Sequence, residues 1–260
     1  MAQGPGRDRS GEVRQDVRRT AKGTAKGAAR GTARTGSASR AARARHAVWA
    51  WIGAAPGTYL WLLVLAGTSF VVSRLSPETL EWFLAKRSTN IDQLTSRPIH
   101  ALLASLIWTE QANFLFYFVV FHLFHVPAER WLGTGRWLTV ALTAHVLATY
   151  ASEGVVAWGV HRGALPANMA DTVDVGVSYA LAGVEGVLTY RLTRPWRWIY
   201  GGALLVFYTV PLVASHTFTD LGHFCAVLIG LAFQPITRGL PTWDPVHAVR
   251  DRLQRRRSSA

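Results

Sequence analysis

Six stretches of this 260-residue chain, roughly 57–75, 102–126, 137–158, 175–193, 198–215 and 219–236, are too long and too apolar for ordinary surface helices. A helix that crosses a bilayer needs about 20 mostly apolar residues. Inside lipid its backbone must satisfy its own hydrogen bonds, which favours helices over open strands. The expected fold is all-α, a polytopic membrane protein with six transmembrane helices, and a soluble multidomain enzyme is excluded. The first stretch follows a long hydrophilic arm and precedes no small-residue cleavage pattern, so it is read as a span and not as a cleaved signal peptide.

Charge completes the plan. The net charge is +13, but residues 1–46 hold twelve Lys/Arg and three Asp/Glu, residues 237–260 hold six Arg and two Asp, and residues 47–236 hold ten of each. The basic excess lies outside the apolar part, which argues against a basic globular nucleic-acid domain. A single cysteine, Cys225, excludes a disulfide scaffold and is read as a small packing residue. The chain thus divides into a basic arm (1–46), a membrane domain (47–236) and a basic tail (237–260). Six crossings put both termini on one side, and the positive-inside rule makes that side the cytoplasm of a multi-pass cell-membrane protein. Arg130, Arg136, Arg191, Arg194 and Arg197 fall on the same side, whereas the 76–101 and 159–174 loops fall outside.

The arm is built from Arg, Ala, Gly, Ser and Thr without apolar periodicity, so it is expected to be disordered. Both basic ends can be drawn to anionic lipids, at about 1 kcal/mol per basic residue near the surface; the plainer reading is a solvated topology signal. The arm lacks the interleaved aromatic residues that would favour nucleic acid as a partner.

Two spans carry the residues with chemical potential. In the fourth, Ser178, Ala182 and Gly186 recur at i, i+4 and i+8; in the sixth, His223, Ala226 and Gly230 recur at i, i+3 and i+7. Small residues at such spacing let membrane helices approach closely. A serine needs a base to take its proton, and histidine is the usual one. Both residues lie a few positions into spans that run from outside to inside, so they share a depth near the outer surface.

These residues resemble the rhomboid family of intramembrane serine proteases. The resemblance covers most of 57–236 and rests on Gly176-x-Ser178 with Gly183 and Gly186, on His223 with Ala226 and Gly230, and on Glu129-Arg130-Trp131-Leu132-Gly133 after the second span. It implies a six-helix rhomboid-like bundle and a Ser178–His223 dyad that cleaves membrane-protein substrates near the outer surface without a cofactor. It also implies oxyanion donors on the second helix, at positions that here hold Asn113 and Tyr117. The plainer reading makes Asn113 a cap and Tyr117 an interfacial anchor. Tyr179 stands where the family has a glycine after its serine. A second register takes Gly176 as that glycine, which puts Val175 at the serine position. The chain would then be a catalytically silent protein that binds transmembrane segments as clients.

Other polar residues lie within the spans. Glu185 reads either as a polar contact in a substrate or proton path or, more plainly, as a protonated acid bonded to a neighbouring helix; His122, His125 and His145 are candidate partners or satisfied core imidazoles. His216, Asp220 and His223 at i, i+4 and i+7 offer an alternative metal-ligand set, with Asp171 or Asp174 completing it as in a membrane metallohydrolase.

Overall fold

The computed structural model describes residues 42–43, 45–109 and 114–258. The expected disorder of the basic arm therefore falls almost wholly outside the described residues. Internal packing divides the chain after Gly53. Before that point residues 45–53 are helical; from Ala54 onward the chain forms the compact unit described below.

Among its described residues the regular structure is helical, apart from one isolated bridge between Leu192 and Trp243. In chain order it contains α1 (Pro56–Val72), α2 (Pro77–Ala85), α3 (Ile91–Ser96), α4 (Pro98–Ser105), α5 (Phe114–Val120), a π-helical turn (Phe121–His125), α6 (Val126–Leu132), α7 (Thr134–His161), α8 (Val177–Leu188), α9 (Trp196–Ala214), α10 (Phe218–Ala232) and α11 (Pro245–Ser258). Helices α1, α2 and α4 open on proline, whose fixed φ suits the first turn and whose missing N–H costs nothing there. Ser76, Asn90 and Thr217 cap α2, α3 and α10 by accepting from backbone N–H groups of the first turn. Gly133, at φ 81°, ends α6, which explains the glycine of the Glu129-x-x-Leu132-Gly133 sequence.

Helices α7 and α9 are long and apolar enough to cross a membrane; a third span follows if residues 45–53 and α1 are taken together. Five of the six expected apolar stretches coincide closely with α1, α7, α8, α9 and α10. The second does not begin where the hydropathy does. Residues 102–105 belong to the separate helix α4, and the rest of the stretch is described only from Phe114, where α5 begins. Apolar composition alone cannot mark that break. The 76–101 segment, read as a loop, is itself largely helical, and so is much of the basic tail.

Helix α8 is the axis of the unit. Of its 12 residues all but Ser178 are buried. A helix apolar on every side belongs inside a bundle, and α6, α7 and α10 enclose it. Its crossing with α10 is backbone-close. A Cβ at Gly230 would lie 2.0 Å from the Gly183 carbonyl oxygen, and one at Gly186 would lie 2.6 Å from that of Val227. The face that meets α10 therefore runs through Tyr179, Gly183 and Gly186. It differs from the Ser178–Ala182–Gly186 strip read from the sequence because residue 178 is turned about 100° from residue 179.

Candidate functional site

Glu129 anchors the frame. Its Oε1 accepts from Gly57 N at 2.9 Å and from the Thr134 hydroxyl at 2.8 Å, and its Oε2 accepts from Thr58 N at 2.7 Å. The carboxylate thus meets the first N–H groups of α1, where the helix dipole favours negative charge. At the other end of the bundle Asp174 ties the entry of α8 to the segment before α3. Thr89 N donates to the Asp174 carbonyl at 3.0 Å, the Thr89 hydroxyl to Oδ2 at 3.2 Å, and Asp174 N to the Ser88 hydroxyl oxygen at 3.0 Å.

Next in the chain, Gly176 lies against His145 so closely that a Cβ would fall 1.9 Å from the imidazole Cε1. His145 Nε2 in turn lies 3.0 Å from the Leu102 carbonyl oxygen. Gly176 N donates to the Ser105 carbonyl at 3.1 Å. The turn before Ser178 is thereby fixed from α4 and α7 together.

Two residues later the helix presents Ser178 to a cavity of about 670 Å³. Tyr117 contributes from α5, Phe124 from the π-helical turn, Leu181 and Glu185 from α8, Tyr200 and Tyr208 from α9, and Asp220 and His223 from α10. Ser178, His223 and Tyr117 therefore meet in one space. Asn113 lies outside the described residues.

The two dyad candidates are not hydrogen-bonded to each other. The Ser178 hydroxyl donates to the Val175 carbonyl at 3.4 Å, within its own first turn. The His223 ring stands edge-on to Tyr179 at 5.0 Å between centroids and tilted to Tyr208 at 5.9 Å. Tyr179 is held in place by its hydroxyl, which donates to Asp174 Oδ1 at 3.1 Å, and by the space that Gly222 leaves for its ring. Ala226 is buried against α8, and Gly183 and Gly230 set the distance between the helices.

Glu185 pairs with a neighbouring helix, but not through histidine. The Tyr208 hydroxyl donates to its Oε2 at 2.7 Å and the Tyr200 hydroxyl to its carbonyl at 3.1 Å. His122 is 3.2 Å from the Tyr59 hydroxyl, and His125 Nδ1 accepts from the Trp137 indole at 3.1 Å. Sequence reading missed Tyr200 and Tyr208. Their spacing with Leu204, at i, i+4 and i+8 on a span, was the available signal.

The metal alternative loses its geometric premise. His216 adopts φ 53° and precedes α10, so it cannot share a helical face with Asp220 and His223. Asp220 instead accepts from the Ser215 and Thr217 hydroxyls. Among the described residues no three His, Cys, Asp or Glu side chains converge.

Comparison with known proteins gives one match. A family model described as rhomboid-like protein matches residues 50–243. No curated protein and no solved structure matches the chain.

Proposed function

Because the chain belongs to the rhomboid-like proteins, we propose that it is an intramembrane serine endopeptidase whose substrates are the transmembrane segments of other membrane proteins. The observation that carries this reading is the shared cavity: a serine and a histidine from two glycine-packed helices line one space within an apolar bundle. In this reading the chain crosses the cell membrane six times with both termini in the cytoplasm. Labelling of an introduced cysteine near residue 90 from the outside only is the expected result; labelling from the cytoplasm only would overturn that topology.

The reaction follows from the residues. His223 takes the Ser178 proton while Oγ bonds to the scissile carbonyl carbon. The protonated imidazole then gives its proton to the leaving amine as the C–N bond breaks, and water hydrolyses the acyl-serine by the same route in reverse. Tyr117, with Asn113 four residues before it, supplies neutral donors for the developing oxyanion. To reach this state Ser178 must rotate off Val175 and His223 must turn from Tyr179. Catalytic hydrogen bonds commonly tighten only when substrate is bound.

One observation favours a second reading, a catalytically silent protein that holds client helices. The Ser178 hydroxyl is satisfied by its own helix, and His223 is packed between two tyrosines. Co-expression with a panel of tagged single-span substrates separates the two. The protease yields a fragment that Ser178→Ala and His223→Ala each abolish. The silent protein yields co-purifying intact substrate, unchanged by either substitution.

A further inference from the structure

The Ser178 cavity contains an acid that the proposed chemistry does not use. Ser178, Leu181 and Glu185 line it from α8 at i, i+3 and i+7, one face of the helix. Glu185 is only 6% exposed. Its Oε2 accepts from the Tyr208 hydroxyl at 2.7 Å, but its Oε1 accepts from no described residue. A carboxylate can accept about four hydrogen bonds, so Glu185 keeps unused capacity in the cavity it lines. Asp220, the other acid of the lining, is taken up by the Ser215 and Thr217 hydroxyls. Among the described residues no lysine or arginine lines the cavity to balance Glu185.

Distance narrows what could answer it. Seven residues along α8 set Glu185 about 10 Å deeper than Ser178. Helical side chains lean toward the N-terminus, so the carboxyl leans back toward the serine. Leu181 stands between the two, and Leu204 adds to the apolar lining from α9. A short side chain entering beside Ser178 cannot reach that depth. Lysine and arginine can, because their stems lie along apolar surface while the head seeks a polar partner. A carboxyl withdrawn from water calls for a charged, hydrogen-bonding partner. A basic residue within a membrane segment carries the matching cost and pairs where it can.

We propose that the cavity selects membrane segments by one basic side chain, a lysine or arginine whose head pairs with Glu185 while its stem lies along Leu181. This rests on the reading that the Ser178 cavity receives segments of other membrane proteins, cut or merely held. Glu185 is then the residue that sets specificity, and Tyr208 fixes one of its oxygens while the other meets the incoming cation. An apolar side chain of the same length would fill the space and leave Oε1 unanswered.

The test measures binding of a fluorescent single-span peptide to the full-length Ser178→Ala protein in lipid nanodiscs, where segments are held and not cut. One lysine is moved position by position along the peptide, and methionine, long and uncharged, replaces it in a matched series. The expected result is one register at which lysine binds about tenfold tighter than methionine, the size of a charge-assisted contact. Arginine at that register should behave as lysine does. Glu185→Gln, which keeps an acceptor for Tyr208, should abolish the difference. Equal binding of the two series at every position, or binding of neither, overturns the inference without any variant at 185. A difference that persists undiminished in folded Glu185→Gln overturns it as well. Cleavage of the same peptides by protein with Ser178 intact keeps the two readings apart. Lysine-selective binding without any fragment removes the protease and supports the basic-residue site; fragments released alike from both series remove the site and leave the protease.

Discussion

Helices α8 and α9 are both apolar, yet they occupy opposite environments. Helix α8 is buried on every side except at Ser178, whereas only Gly201 and Leu204 of the 19 residues of α9 are buried. Their glycines express the same contrast. Cβ atoms at Gly183 and Gly186 would strike Ala144 and α10, but one at Gly202 would meet nothing within 4 Å. Lipid tails are as apolar as leucine, so hydrophobicity cannot decide which helix goes inside; close packing and interhelical hydrogen bonds do. The chain places its tightest packing behind the candidate site and a lightly packed, largely exposed helix in front of it.

The largest effect expected from this contrast is at the α8–α10 crossing. Gly230→Val should cost about 3 kcal/mol or more, because the backbone of Gly183 cannot yield as a flexible side chain would. Thermal unfolding in detergent checks this, with Gly202→Val as the matched substitution on α9, expected to stay within about 0.5 kcal/mol of the parent. Comparable losses at both positions would break the contrast.

An intermediate effect is expected at Glu129. Glu129→Ala leaves Gly57 N, Thr58 N and the Thr134 hydroxyl without their acceptor. The expected cost is about 2–3 kcal/mol, that of removing hydrogen bonds to a charged group. Hydrogen exchange should show the loss concentrated in the first turn of α1.

The smallest effect is expected between α8 and α9. Tyr208→Phe removes the bond to Glu185, and interhelical hydrogen bonds in membranes average about 0.6 kcal/mol. Stability should barely change. A loss as large as that of Gly230→Val would mean that α9 is held as firmly as the core.

How much of this was legible in the sequence depends on range. The centres of five apolar helices and the glycines that pack α8 follow from local pattern. The break between α4 and α5 does not, since residues 102–108 are apolar either way. Asp174 with Thr89 and Ser88, and Glu185 with Tyr208, are pairs distant in sequence, and no periodicity marks them. Tyr179 was noted as a departure from the family glycine; its contact with His223 needed the crossing geometry that Gly222 permits. Ser178 and His223 could be named from spacing, but the direction of their hydrogen bonds could not.

That direction bears on the central claim, that Ser178 is a nucleophile activated by His223. The most direct measurement is labelling of the purified protein in lipid with a fluorophosphonate probe, which reacts with an activated serine and needs no knowledge of the substrate. The account predicts labelling of the parent protein, none of Ser178→Ala and little of His223→Ala, with all three equally folded by thermal unfolding. No labelling of the parent, or equal labelling of all three, would contradict it.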